Sequence, residues 1–172
     1  MSKSSNNIVL VGMSGVGKTT VGRLLSKKLD REFIDVDNEF ENITKFKIAD
    51  FFSKYGEVEF RKIEKKIMKN IVLNKDNLVI STGGGIFSDI EIRDFIIENS
   101  LTLFLNSSID TLTGRLKKNF MNRPLLNKGS LIDNIEKLYK NRKKNYMMAE
   151  HMVIVDNLSA EQVAQKIIKE IF

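Results

Sequence analysis

Residues 12–19 read Gly12-Met13-Ser14-Gly15-Val16-Gly17-Lys18-Thr19, the pattern G-x-x-x-x-G-K-[ST]. No other stretch constrains the fold so tightly. An unbroken apolar run, Ile8–Val11, precedes it, and a helical pattern follows from about Lys18. A run without alternation reads as a strand covered on both faces, so the loop joins a strand to a helix. The chemistry requires this spacing. Glycines let the backbone curl until successive N–H groups point at phosphate, the lysine reaches the β- and γ-phosphates, and the threonine hydroxyl ligates Mg²⁺. The start of the helix adds its positive dipole end. Residues 12–19, with Thr20 beside them, are therefore expected to bind ATP or GTP.

The same alternation continues along the chain. Further apolar runs at Phe33–Val36, Leu78–Ser81, Leu101–Leu105 and Met152–Val155 are candidate strands, with longer helical stretches between them. Two helix starts carry a capping-box pattern, Ser88 with Glu91 and Ser159 with Gln162. Strand–helix alternation predicts an α/β fold with a parallel sheet and right-handed crossovers, whose ligands bind beyond the carboxyl ends of the strands. At 172 residues the chain is expected to form a single domain. It has no cysteine, which excludes a disulfide framework and thiolate metal sites and suits a reducing cytoplasm. The segment Met1 to Asn7 reads as a frayed tail rather than a signal peptide, and no apolar run is long enough to span a bilayer. A net charge of +6 favours anionic partners, but lysines outnumber arginines three to one and are spread along helical stretches, as on a solvated face.

Several further segments bear on the kind of phosphate-loop protein. The guanine-reading N-K-x-D pattern is missing: Asn74-Lys75-Asp76-Asn77 has its aspartate one place early, and Asn127-Lys128 is followed by Gly129-Ser130. No acidic residue ends the third strand. Instead Asp35 and Asp37 end the second, and on an extended segment their side chains project the same way, one toward the waters around Mg²⁺ and the next toward a substrate hydroxyl. The alternative is an aspartate that caps the following helix. In Gly56-Glu57-Val58-Glu59-Phe60-Arg61-Lys62-Ile63-Glu64, Arg61 and Glu64 sit at i and i+3, where a surface ion pair is the plain reading. Gly83-Gly84-Gly85 follows the third strand, where it exposes bare backbone to a ligand or forms a flexible turn. Arg123-Pro124-Leu125-Leu126 lies in the polar stretch from Lys117 to Ser130, a length that suits a lid.

These pieces in this order resemble shikimate kinase. The matches are the phosphate loop, Asp35-x-Asp37, G-E-x-x-F-R-x-x-E at 56–64, the glycines 83–85, R-P-L-L at 123–126, and Arg142 with Tyr146 one turn later, covering about residues 7–171. The resemblance implies a three-layer P-loop NTPase fold of the nucleoside-monophosphate-kinase type. It has a five-stranded parallel sheet flanked by helices, a substrate-binding region at about 36–64 and a mobile lid at about 117–130. It implies transfer of the γ-phosphate of ATP to the 3-hydroxyl of shikimate, with Mg²⁺, in the chorismate and aromatic amino acid pathway. By position, Asp37 is similar to the residue that accepts the hydroxyl proton, acting with Lys18 and Arg123, and Thr19 and Asp35 to the magnesium-holding pair, Asp35 through water. Arg61 and Arg142 are similar to the clamp on the shikimate carboxylate, with Glu64 orienting it. Gly83, Gly84 and Gly85 would line the ring's hydroxyl face, and Arg123 would close on the phosphates. The expected partners are ATP or ADP and shikimate, with no nucleic acid and no membrane, for a cytoplasmic monomer.

The sequence departs from the family pattern in the lid. An adenine-stacking arginine commonly stands seven residues before the lid arginine; here that position is Leu116, so Arg115, one residue earlier, is assigned the role with one residue inserted in the lid. A proline often found after the helix arginine is also absent. Phe52 and Phe60 are placed either beside the substrate ring or in the core, His151 as structural or exposed, and the seven methionines in packing. The competing readings are a gluconate or nucleotide kinase on the same fold, and a nucleotide- or nucleic-acid-binding module without catalysis.

Overall fold

The computed structural model describes residues 6–117 and 130–172. Arg123, the R-P-L-L segment and most of the expected lid lie outside the described residues.

Five strands form one parallel sheet: β1 (Ile8–Val11), β2 (Glu32–Asp35), β3 (Leu78–Ser81), β4 (Leu101–Asn106) and β5 (His151–Ile154), in the order β2-β3-β1-β4-β5. Each expected strand is present, β1 and β3 with the expected bounds and the other three differing by one residue at one or both ends. Every side chain of β1 and β3 is buried, as their unbroken apolar runs require of strands covered on both faces. Between strands run α1 (Lys18–Lys28), α2 (Val36–Thr44), α3 (Ile48–Asn74), α4 (Ile90–Asn99), α5 (Ile109–Leu116), α6 (Leu131–Tyr146) and α7 (Ala160–Ile171). Helices α1 and α7 pack together, while α3, α4 and α6 meet around a 3-10 turn at Ile86–Ser88.

Three local readings change. Asn7 is not part of a frayed tail. It is fully buried, its side chain donates to the Lys75 carbonyl at 3.0 Å and accepts from Leu78 N at 2.9 Å, and its carbonyl accepts from Leu101 N at 2.9 Å. It ties the entrances of β3 and β4 to β1, satisfying backbone groups that burial would otherwise strand. Ser88 does not cap α4. It closes the 3-10 turn, and Asp89 caps the helix by accepting from Ile92 N at 3.2 Å, while Glu91 pairs outward with Lys69. Ser159 does form the expected capping box with Gln162. The methionines divide: Met13 and Met68 are buried in the core, but Met147, Met148 and Met152 are about half exposed where α6 ends and edge strand β5 begins. Phe52 and Phe60 meet in a tilted pair with ring centroids 4.7 Å apart, and Phe60 also meets Phe40 at 4.7 Å, so both join an aromatic packing cluster.

Candidate active site

The carboxyl ends of β1, β2 and β3 meet around a cleft of about 290 Å³. The phosphate loop lines one wall. Gly12, Gly15 and Gly17 all have positive φ, which gives the loop its curl at little cost only because they carry no Cβ. Met13 and Val16 turn their side chains into the core, so only their backbone groups face the site. Helix α1 starts at Lys18 without a side-chain cap, so its first N–H groups point into the loop as an anion site. Lys18 is buried, with Nζ donating to the carbonyls of Gly12 at 2.8 Å and Met13 at 2.9 Å, and Ser14, Gly15, Thr19 and Thr20 line the cleft beside it.

Of the two readings of the Asp35–Asp37 pair, the helix cap is realised, at Asp35. Strand β2 ends at Asp35, so the segment is not extended through Asp37, which falls in the first turn of α2. Asp35 Oδ1 caps that helix, accepting from Asp37 N at 3.1 Å and Asn38 N at 3.3 Å, while its Oδ2 accepts from Thr19 Oγ1 at 2.6 Å. Ser81 Oγ lies 3.4 Å from the same hydroxyl. One hydroxyl and one carboxylate therefore converge beside the phosphate loop, with Ser81 where many ATPases put an acid. Among the described residues no group of three or more histidines or acids forms a metal cage. The donor set fits a hard cation that keeps its waters and takes further oxygens from phosphate. Asp37 lines the same cleft as Lys18.

Opposite the phosphate loop, Arg61, Glu64 and Arg142 gather around the glycines after β3. The Arg61–Glu64 pair is not a surface pair. Arg61 Nη1 donates to Glu64 Oε2 at 2.5 Å, and the Glu64 side chain is only 1% exposed. Burial pushes the Glu64 carboxyl above its ordinary pKa, against the pull of Arg61, and the negative charge of Asp37 adds to the upward push. Its Oε1 is buried without a hydrogen-bond partner among the described residues. Burial works against the Arg61 charge too, but Glu64 and Glu57 overcome it and its pKa rises. Arg142 Nη1 donates to the Gly84 carbonyl at 3.1 Å, and the buried Tyr146 hydroxyl donates to the same oxygen while its ring stacks on Phe104 at 5.1 Å. Burial raises the Tyr146 pKa and keeps it a donor.

The glycines sit where the protein's own side chains and phosphate loop crowd in. A Cβ at Gly83 would strike Glu64 Oε1 and lie 3.0 Å from Asp37 Oδ1; one at Gly84 would lie 3.1 Å from Ser14 N; one at Gly85 would overlap the Arg61 guanidinium. Bare backbone here lets the acids, the arginines and the phosphate loop converge.

Arg115 Nη1 donates to the Val16 carbonyl at 2.8 Å, whereas Leu116 is buried against Gly15. Its helix is anchored by Asp156, which accepts from Ser107 Oγ at 3.1 Å, Ser108 N at 3.1 Å and Thr111 Oγ1 at 2.7 Å. Sequence reasoning missed three contributors. Glu57 gives Arg61 a second carboxylate, which its i, i+4 spacing signalled; Ser81 and Asp156 had no such local signal. His151 is exposed.

A sequence model of the shikimate kinase family matches residues 14–172. The chain belongs to the shikimate kinase family. It is 41% identical to the shikimate kinase of Pelotomaculum thermopropionicum over 94% of this chain and 93% of that protein. It is 42% identical to the shikimate kinase of Bacillus subtilis, over 95% of this chain and 87% of that one. Among solved structures, the shikimate kinase of Acinetobacter baumannii in complex with shikimate superposes with a TM-score of 0.92 at 34% identity, covering 97% of this chain and 93% of that chain. The family's fold, a P-loop kinase of the nucleoside-monophosphate-kinase type, is the fold described above. Its members are ATP-dependent kinases, and this chain is one of them. Among the described residues, no helix is long and apolar enough to cross a membrane.

Proposed function

We propose that the enzyme transfers the γ-phosphate of ATP to the 3-hydroxyl of shikimate, giving shikimate 3-phosphate and ADP, with the residues gathered above in the roles that follow. The observation carrying this reading is that Asp37 and the phosphate loop share one cleft, while Arg61 and Arg142 flank the adjoining glycines.

The phosphate loop, Lys18 and the start of α1 hold the triphosphate, and Arg115 covers the nucleotide beside them. Arg61 and Arg142 take the substrate carboxylate, for which a guanidinium fork is better shaped than an ammonium. Each charged hydrogen bond of this kind is worth about 1.5–3 kcal/mol. Glu64 holds Arg61 in place, and its Oε1 offers an acceptor to a ring hydroxyl against Gly83. With the acid held at one end of the ring, the 3-hydroxyl meets Asp37. Its oxygen forms the new bond to the γ-phosphorus, the bond to the bridging oxygen breaks with its electron pair leaving on ADP, and the hydroxyl proton passes to the Asp37 carboxylate. Such transfers need alignment and charge neutralisation more than covalent help, and Lys18 supplies part of the positive charge, with Arg123 of the lid supplying more. Thr19 directly and Asp35 through water would hold Mg²⁺, which when bound neutralises phosphate charge. Residues 36–64 form the substrate region and 117–130 the lid of a single-domain, monomeric, cytoplasmic enzyme.

A panel of acceptors given with ATP and Mg²⁺ tests the reading. Shikimate is expected to be phosphorylated, and gluconate and nucleoside monophosphates to be left unchanged. Turnover of either of those without turnover of shikimate would overturn it.

A further inference from the structure

Arg61 is engaged on two sides. Glu64 holds Nη1, and Glu57 Oε1 lies 3.3 Å from Nε and 3.2 Å from Nη2. The Nε and Nη2 hydrogens form one of the two edges by which a guanidinium grips a carboxylate in a fork. That edge is filled by a carboxylate of the protein itself. The two acids differ in freedom: the Glu64 side chain is 1% exposed and Glu57 47% exposed. Glu57 also follows Gly56, whose φ of 79° and ψ of 174° break α3, so it opens the second half of the helix. A carboxylate at a helix start is stabilised there even when its side chain turns to water. Glu57 can leave at small cost; Glu64 cannot.

The charges point the same way. Arg61 interacts with Glu57 and Glu64, and Glu64 in turn with Asp37 and Arg142, so two guanidinium groups and three carboxylates gather around the glycines after β3. The Arg61 guanidinium also lies against Gly85, which blocks retreat on that side. Whichever edge an incoming carboxylate takes, it meets the Glu57 charge within hydrogen-bond reach of Nη2.

We infer that Glu57 is a displaceable placeholder in the substrate clamp: it occupies Arg61 until the substrate carboxylate arrives, competes with it, and so sets the affinity for the acid. The inference rests on the reading of Arg61 as the carboxylate clamp. Glu57 is a specificity-setting residue acting through Arg61. It keeps the guanidinium oriented between turnovers and makes a ligand without a carboxylate unable to open the site, because such a ligand offers nothing in exchange for the pair it breaks.

Calorimetric titration of shikimate into the wild type, Glu57→Gln, Glu57→Ala and Arg61→Ala tests this, with ATP titrated in parallel. An exposed pair of this kind is worth about 0.4–1 kcal/mol, within the range for such pairs, so removing the competitor is expected to tighten shikimate binding about two- to fivefold in both Glu57 variants. ATP affinity should stay unchanged, and Arg61→Ala should weaken shikimate binding. A residue that merely orients Arg61 or stabilises α3 would give the opposite sign. Unchanged or weaker shikimate binding in the Glu57 variants, alongside normal wild-type binding, would overturn the inference alone. A wild type that neither binds nor phosphorylates shikimate would overturn the functional reading and this inference with it.

Discussion

Glu64 shows how one buried side chain carries several duties. Its Oε2 fixes Arg61, its Oε1 lies beside Gly83 without a hydrogen-bond partner among the described residues, and burial holds its pKa above the ordinary glutamate value of 4.5. The raised value makes the folded chain hold this proton more tightly than the unfolded one. Stability from this group is therefore fully present below the unfolded pKa and is lost as pH rises through the folded pKa. Glu64→Gln removes the titration while keeping the shape. Urea denaturation of both proteins across the acidic range should show the wild type losing stability relative to Glu64→Gln as pH rises, and a constant difference would contradict the shift. The pairing of residues 61 and 64 was legible as an i, i+3 spacing. Its burial was not, because that depends on β3 and its glycines arriving from elsewhere in the chain.

At the scale of elements, starts and stops decide what the site residues can reach. The phosphate loop was legible because its glycines, lysine and threonine are fixed by local backbone geometry, and the five strands because each is built around a short apolar run. The second strand's end was harder to read. Asp35 serves as last strand residue, helix cap and partner of Thr19 at once, and it starts α2 early enough to put Asp37 on a helix. At α4 a serine and an aspartate competed for the cap, and Asp89 took it. At α7 no competitor existed, and Ser159 with Gln162 closes the box. Ser159→Ala should cost about 1 kcal/mol, lowering the thermal midpoint by about 2–4 °C, with shikimate turnover unchanged because α7 does not line the site. A loss of turnover at unchanged stability would contradict that separation.

Over the whole molecule, the sheet order is what brings the function together. Strand β1 stands between β3 and β4, so the phosphate loop after β1 lies beside the glycines after β3, and β2 delivers Asp37 next to them. Helix α6 then returns across that end with Arg142 and Tyr146, both donating to Gly84. Residues 12, 37, 61, 84 and 142 are far apart in sequence, and their meeting follows from topology. The motif order pointed to a family, and through it to these residues; spacing alone left Asp37 undecided between cap and reactant. The central claim is that Asp37 faces the hydroxyl to be phosphorylated, between a nucleotide on one side and a clamped acid on the other. Steady-state turnover of ATP and shikimate by Asp37→Asn, with the affinity of each substrate measured separately, tests it most directly. The substitution keeps bulk and removes the proton acceptor, so kcat should fall by about 10²–10⁴-fold while ATP affinity is retained. A variant that turns over shikimate at close to the wild-type rate would contradict the account.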